Sequence, residues 1–140
     1  MTIAEQEKEI IEEFEFFGDD WEQKYSHLID QGKSLPLIEE SEKTEDKLIQ
    51  GCQSRVWLKT EEKDGRIFFK ADSDAIITKG MVALMVRVLS NQKPEDIVKA
   101  ELGFVNRIGL TEHLSPTRAN GLVSMINRMK KEALLKISNK

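Results

Sequence analysis

The sequence predicts an α+β protein in which a small antiparallel sheet of about three strands is covered by helices. Residues 55–60 and 66–72 alternate apolar and polar side chains, and Asp64-Gly65 lies between them, as expected of a tight hairpin. Apolar residues recur at helical spacing both before and after this hairpin. Because a sheet and amphipathic helices must bury their apolar faces against one another, we expect the helices to pack on the sheet.

Two amphipathic helices are predicted before the sheet. The first runs from Ala4 to Phe17, and Asp19 and Asp20 are candidate N-caps for the second. After the sheet, residues 74–90 are apolar around most of a helical circumference, which predicts the most buried helix of the fold. Further helices are predicted at residues 94–102, 104–108 and 115–136.

Three local features qualify this outline. Residues 33–47 are polar and lack periodicity, so they are predicted to form a surface loop, and Leu48-Ile49 is predicted to add a third strand at the sheet edge. Gly80 is unusual inside an apolar helix, because glycine weakens a helix by up to about 1 kcal/mol relative to alanine. We expect close packing of Gly80 against a neighbouring element, with Lys79 reaching outward to solvent.

Length and composition limit the possible functions. The 140 residues suffice for one domain over residues 1–140, and the single cysteine excludes an internal disulfide or a four-cysteine metal site within the chain. Residues 1–50 carry 15 acidic and 5 basic side chains (net −10) and residues 51–140 carry 10 and 16 (net +6), which together give −4. A negative net charge argues against a nucleic-acid partner.

No segment of the sequence is typical of a membrane or secreted protein. The longest apolar stretch, Met81–Val86, is far shorter than the roughly 20 residues that span a bilayer. The N-terminal residues are acidic, whereas a secretory signal begins with basic residues and an apolar run. We therefore expect a cytoplasmic protein without a membrane partner.

Cys52 is the one strong nucleophile in the sequence. Its neighbours Gly51, Gln53 and Ser54 are flexible or polar, which is typical of a loop that presents a thiol, whereas an inert thiol usually lies in an apolar run. These observations leave a reactive and an inert thiol both open. A Cys/His pair with His113 is a further hypothesis, and the spacing of the chain's histidines and Cys52 does not predict a metal site.

Arg118 is out of place in the first turn of the last predicted helix. A cation there opposes the helix dipole, which favours acidic side chains at this end. A carboxylate partner, inside the protein or on another protein, would account for its position.

Three motifs resemble the SufE-like family of sulfur acceptor proteins. Residues 50–58, read as Gln-Gly-Cys-Gln-Ser-Arg-Val-Trp-Leu, are similar to the family signature Gly-Cys-x-Ser-x-Val-Trp. Asp72-Ser73-Asp74-Ala75 with Thr78-Lys79-Gly80-Met81 resembles the second family motif, and residues 110–122 resemble the third. With the start of the second helix and the Leu35-Pro36 loop, the resemblance covers nearly the whole chain.

The resemblance implies a fold shared with the IscU scaffolds and a role in sulfur transfer. SufE-like proteins take sulfur from a pyridoxal-phosphate cysteine desulfurase of the SufS or CsdA type and pass it towards iron–sulfur cluster assembly. By this resemblance Cys52 is the acceptor that becomes a persulfide. Asp74 and Arg118 are candidates for positioning the cysteine or docking a partner, and Gly51, Gln53 and Ser54 for shaping the loop.

The implied carrier needs no cofactor or metal of its own, because the pyridoxal phosphate belongs to the desulfurase. Its expected partners are that desulfurase and a downstream iron–sulfur scaffold. Two alternatives stay open at this point: a scaffold for an iron–sulfur cluster, and a protein-interaction domain whose thiol is inert. A single cysteine cannot hold a cluster within a monomer, which weighs against the scaffold.

Overall fold

The computed structural model describes residues 1–138, so residues 139 and 140 of the domain expected over 1–140 lie outside the described residues. The described chain has the predicted α+β architecture. Its helices and strands are, in chain order, α1 (Ile3–Glu15), α2 (Trp21–Lys33), β1 (Val56–Lys63), β2 (Arg66–Ser73), α3 (Ile76–Leu89), α4 (Pro94–Lys99), α5 (Phe104–Arg107), α6 (Leu110–His113) and α7 (Pro116–Ser138). Short 3-10 turns at Glu40–Glu42 and Glu45–Lys47 lie in the acidic stretch of the polar loop.

The sheet is an antiparallel hairpin of β1 and β2, as the alternation predicts. Its register runs from Val56 opposite Ser73 to Lys63 opposite Arg66. Asp64 and Gly65 in the turn both have positive φ, +54° and +77°, which is the backbone that tight hairpin turns require. The buried residues of β2, Ile67, Phe69 and Ala71, alternate along the strand and belong to the core, where β2 packs on α3.

The predicted third strand is wrong. Leu48 forms one isolated antiparallel bridge with Trp57, and the Ile49 amide donates to the Val56 carbonyl at 2.8 Å. The chain enters this bridge from the 3-10 turn that ends at Lys47. It leaves at Gly51, whose φ of +93° bends the backbone away from the sheet. The extended stretch between the two bends is too short for a ladder of hydrogen bonds.

The helix predictions are confirmed with differences at the ends. α2 begins as predicted, because the Asp20 carboxylate accepts a hydrogen bond from the Gln23 amide at 3.1 Å. The helix predicted at 94–102 already ends at Lys99, since Ala100 is extended with ψ of 132°, and Leu102 then adopts a left-handed φ of +58°. α6 was not predicted; Gly109, at φ +82°, separates it from α5.

α3 lies at the centre of the core and contacts α1, α2, α7 and β2. A Cβ on Gly80 would lie 2.8 Å from the Leu28 carbonyl carbon and overlap the carbonyl oxygen, so α2 and α3 meet backbone to backbone. The close packing expected of Gly80 is confirmed. Lys79 differs from the prediction: its Nζ lies 3.3 Å from the Asp72 carboxylate and so pairs within the protein.

A half-buried polar cluster joins α3 to α1 and α2. Arg87 donates to Glu13 Oε1 at 2.9 Å, to Gln31 Oε1 at 3.0 Å and to Glu9 Oε1 at 2.9 Å, and His27 Nε2 lies 2.9 Å from Glu13. The hydrogen bonds from Arg87 lower the pKa of Glu13, against the opposing effect of burial and with a further contribution from His27. The cluster therefore depends on an ionised Glu13.

We expect Arg87→Met to lower the free energy of unfolding at neutral pH by roughly 1–3 kcal/mol, because Glu13 loses its main partner. The pKa of Glu13 is lower in the folded than in the unfolded state. Its stabilisation is therefore present above the unfolded pKa of about 4.3 and is lost as the pH falls through the folded pKa. Urea unfolding of both proteins across this acid range should show a flatter pH dependence for the variant.

Lys33→Met is the matched control for this measurement. Lys33 pairs with Asp30 at 3.4 Å on the exposed face of α2, where ion pairs contribute about 0–1 kcal/mol. An equal loss of stability in both variants would contradict the role given to Arg87.

The Gly80 crossing predicts a contrast between two glycine substitutions. Gly80→Ala should lower the free energy of unfolding by about 1–3 kcal/mol, because the new methyl group overlaps the Leu28 carbonyl. Gly103→Ala should change it by less than about 0.5 kcal/mol, since Gly103 has helical φ and open space around the Cβ position. Thermal or urea unfolding of the two variants measures the difference, and equal effects would refute the close crossing.

Candidate functional site

Cys52 lies on residues 50–54, the cysteine loop, which joins the bridge at Leu48 to strand β1. The loop bends at Gly51, where φ is +93°, a backbone conformation that favours glycine. A Cβ at Gly51 would also lie 3.2 Å from Ser124 Cβ and overlap the Ser124 hydroxyl. The loop backbone thus rests directly on α7, and both constraints require a glycine before the cysteine.

The Cys52 thiol is half-buried against α7. Its Sγ donates a weak hydrogen bond to the Gly121 carbonyl at 3.5 Å. Burial raises the pKa of the Cys52 thiol above its ordinary value. Because the thiolate is the nucleophilic form, the docked loop holds Cys52 in its less reactive state.

A cavity of about 20 Å³ adjoins the thiol, which is room for about one water-sized atom. The cysteine loop, the beginning of α3 and the beginning of α7 contribute its walls. The lining residues are Cys52, Gln53, Ser54, Thr78, Met81, Thr117, Arg118, Gly121 and Met125. Met81 and Met125 are fully buried, so two thioethers form much of the apolar lining.

Asp74 lies at the far end of the cysteine loop, where β1 begins. Its carboxylate accepts a hydrogen bond from the Arg55 amide at 3.1 Å, and its own amide donates to the Arg55 carbonyl at 3.3 Å. The Ser73 hydroxyl donates to the same carbonyl at 2.8 Å. The junction between β2 and α3 thereby holds the residue at which the loop enters the sheet.

Arg118 lies at the rim of the cavity with its side chain exposed. Its backbone amide donates to the Ser115 hydroxyl at 3.3 Å, which caps the N-terminus of α7. No carboxylate within residues 1–138 forms an ion pair with its guanidinium.

The structure thus places the six predicted site residues in three positions. Cys52, Gln53, Ser54 and Arg118 line the cavity, Gly51 seats the loop on α7, and Asp74 reaches the loop through Arg55. The remaining contacts of the thiol and loop come from residues with no predicted role at the site, which are Thr78, Met81, Thr117, Gly121, Ser124 and Met125. Gly121, a glycine inside the last predicted helix, is the sequence feature that indicates a close approach of another segment to this helix.

The hypothesised Cys/His pair does not form. The His113 ring stacks on Trp21 with the ring centres 3.7 Å apart, and its Nδ1 lies 3.1 Å from the Gly109 carbonyl. His27 belongs to the cluster around Arg87. Within residues 1–138, no group of three or more His, Cys, Asp or Glu side chains could hold a metal ion, and no helix is long and apolar enough to cross a membrane.

Comparison with known proteins gives relatives along nearly the whole chain. Two uncharacterised SufE-like proteins match it: one of Rhizobium meliloti is 42% identical over 138 residues, covering 95% of this chain and 96% of the relative. The other, of Rhizobium etli, is 38% identical over 130 residues, covering 89% and 87%. A solution structure of a hypothetical protein from Thermus thermophilus shares the fold, with a TM-score of 0.78 and 19% identity over 95% of this chain and 96% of that one.

The family comparison covers the residues around the cavity. Residues 8–133 match the SufE family model, which is described as an Fe-S metabolism associated domain. This range contains the cysteine loop, the Asp74 junction and the lining part of α7. The chain therefore belongs to the SufE family.

Proposed function

We propose that this protein is a sulfur acceptor and carrier that takes persulfide sulfur from a cysteine desulfurase of the SufS or CsdA type onto Cys52. It stimulates the desulfurase by removing that sulfur and passes it to a downstream iron–sulfur scaffold. The observation that carries the proposal is the lone thiol of Cys52 on a glycine-bent loop beside a cavity of about 20 Å³. Membership of a family associated with Fe-S metabolism supports it.

The transfer step needs only the thiolate and the partner's persulfide. The Cys52 thiolate attacks the outer sulfur of the desulfurase persulfide, a new S–S bond forms, and the old S–S bond breaks. The desulfurase cysteine leaves as a thiolate, and Cys52 carries the outer sulfur with its hydrogen as a persulfide. No electrons enter or leave, so the carrier needs no cofactor, and the pyridoxal phosphate stays with the desulfurase.

Docking must lift the cysteine loop before this attack. In the closed loop the thiol is shielded, and burial keeps the pKa of Cys52 above its ordinary value. Lifting the loop exposes Sγ to water, which removes the effect of burial on the pKa and so raises the fraction of nucleophilic thiolate. The exposed Arg118 guanidinium at the rim, which forms no ion pair among residues 1–138, fits a carboxylate on the desulfurase.

Cys52→Ser tests the acceptor role. After incubation with a desulfurase and cysteine, the wild-type Cys52 peptide should gain about 32 Da, the mass of one sulfur. The serine variant should gain none, because a hydroxyl does not form a persulfide, while its circular dichroism stays unchanged. Mass spectrometry of the digested proteins gives the readout.

Two results would refute the carrier in favour of the alternatives. A wild-type protein that gains no sulfur, with Cys52 alkylated no faster in the presence of the desulfurase than alone, indicates an inert thiol. A stable coloured cluster after anaerobic reconstitution with iron and sulfide indicates a scaffold.

Asp74→Ala tests the control of reactivity by the loop. Removing the hydrogen bond to the Arg55 amide should loosen the loop and raise the rate of Cys52 alkylation by about fivefold to tenfold, equivalent to a hydrogen bond of about 1–1.4 kcal/mol. Iodoacetamide kinetics on the isolated protein measure this rate.

Asp30→Ala is the control, because Asp30 is exposed on α2 and pairs with Lys33, away from the cysteine loop. It should leave the alkylation rate unchanged. An unchanged rate in Asp74→Ala as well would show that the junction at Arg55 does not hold the loop closed.

A further inference from the structure

Asp72 is a mostly buried carboxylate at the end of the sheet from which the cysteine loop departs. Its side chain is 13% exposed. Asp72 lies opposite Trp57 in the register of β1 and β2, and Trp57 also forms the bridge with Leu48. One row of residues across the sheet therefore connects Asp72 to Leu48, the residue from which the chain enters the cysteine loop.

Two lysines from different segments share this carboxylate. Lys43 Nζ, from the polar loop, lies 2.7 Å from Asp72 Oδ2, and Lys79 Nζ, from α3, lies 3.3 Å from Oδ1. The Lys43 ammonium also lies 5.2 Å from the centre of the Trp57 ring, within the range of a cation–π contact. Asp72 thus connects the polar loop, β2 and α3 at one point, and it holds Lys43 against the residue that pairs with Leu48.

The same carboxylate also orders the junction at the other end of the cysteine loop. Asp72 Oδ1 accepts a hydrogen bond from the Ser73 amide at 2.8 Å. The Ser73 hydroxyl accepts from the Ala75 amide at 3.3 Å and donates to the Arg55 carbonyl at 2.8 Å. Because the loop enters the sheet at Arg55, contacts that begin at Asp72 reach both ends of the loop.

The Asp72 carboxylate is ionised in spite of its burial. Burial alone would raise its pKa, but the hydrogen bonds from Lys43, from the Ser73 amide and from Lys79 together hold the pKa below its ordinary value. Removing charged groups from water costs free energy that their attraction often does no more than offset, so a buried ion pair is weak evidence for stability. Two lysines on one buried carboxylate do, however, fix three segments relative to one another.

We propose that Asp72 is a positioning residue for sulfur transfer, which fixes both ends of the cysteine loop so that Cys52 keeps one position when a desulfurase docks. This inference rests on the proposed function and adds a residue to it. Attack on the partner's persulfide requires the two sulfur atoms to be held about 3–3.5 Å apart, and a mobile thiol is seldom there. Asp72 does not line the cavity beside the thiol, so its effect passes through Leu48 and Arg55.

Asp72→Asn should change two reactions of Cys52 in opposite directions. The amide keeps the size of the carboxylate but no longer attracts two ammonium groups. We expect iodoacetamide to alkylate Cys52 of the isolated full-length chain about fivefold faster, because both ends of the loop are looser. Sulfur transfer from a SufS-type desulfurase should be about tenfold slower at saturating carrier, while the half-saturating carrier concentration changes by less than about twofold, since the docking residues are unaltered.

Two substitutions at Lys79 test the ionic contact itself, and Lys70 supplies the matched control. Lys79→Met should shift both rates in the same directions as Asp72→Asn, by about threefold, since Lys43 still holds the carboxylate. Lys79→Arg retains a cation within reach of Asp72 and should keep both rates within about twofold of wild type. Lys70→Met should do the same, because Lys70 lies on the same face of β2 but forms only an exposed ion pair with Glu61 at 3.7 Å.

Urea unfolding establishes that each variant is folded under the assay conditions, and the two Lys79 variants decide the question if Asp72→Asn does not fold. Unchanged rates in Asp72→Asn overturn the proposal. Faster alkylation with equal or faster transfer also overturns it, because the loop would then be merely released. A wild-type chain that accepts no sulfur refutes the proposed function, whereas equal transfer by wild type and Asp72→Asn refutes only the role of Asp72.

Discussion

The backbone contact between Gly80 and the Leu28 carbonyl sets the position of α3, and the remaining elements are arranged around that helix. Because Gly80 has no side chain, α2 can approach α3 closely and cover one side of it. β2 and α7 cover other sides of α3. A central helix held in this way has few alternative positions, because neighbouring packed groups cannot expand. Its first turns carry Thr78 and Met81, so the same contact also positions one wall of the cavity at the cysteine.

The backbone of the cysteine loop is held at Gly51 and at Arg55 by different kinds of interaction. At Gly51 it is held by contact with a small residue of α7, and at Arg55 by hydrogen bonds from the β2–α3 junction. Neither attachment is a large apolar surface, so the loop can be released without disturbing the core. A sulfur carrier has opposite needs before and after transfer, since it must expose its thiol to a donor and then shield the sulfur from other thiols. A loop with weak attachments over a rigid cavity can satisfy both.

The predictions from sequence succeeded where a local pattern carried the information and were wrong where a distant contact decided the outcome. The hairpin around Asp64-Gly65 and the buried helix α3 follow from alternation and from a continuous apolar circumference. The predicted third strand contains the adjacent apolar residues Leu48 and Ile49, but turns on both sides of them prevent a strand. Hydrophobic periodicity does not detect such turns. The hypothesised pair of Cys52 and His113 fails for the same reason. His113 stacks instead on Trp21, which lies in another helix far away in the chain.

The α+β class, the hairpin and the buried helix follow from the sequence alone, and so do the lone cysteine and the family motifs. Each of them depends on residue types and spacings within short segments. The surroundings of that cysteine, in contrast, depend on contacts between segments that are distant in the chain. The raised pKa of Cys52, the contact with Gly121 and the size of the cavity arise where the loop, α3 and α7 meet. These segments are joined by packing, and the amount of space that packing leaves beside a sulfur atom depends on all of them together.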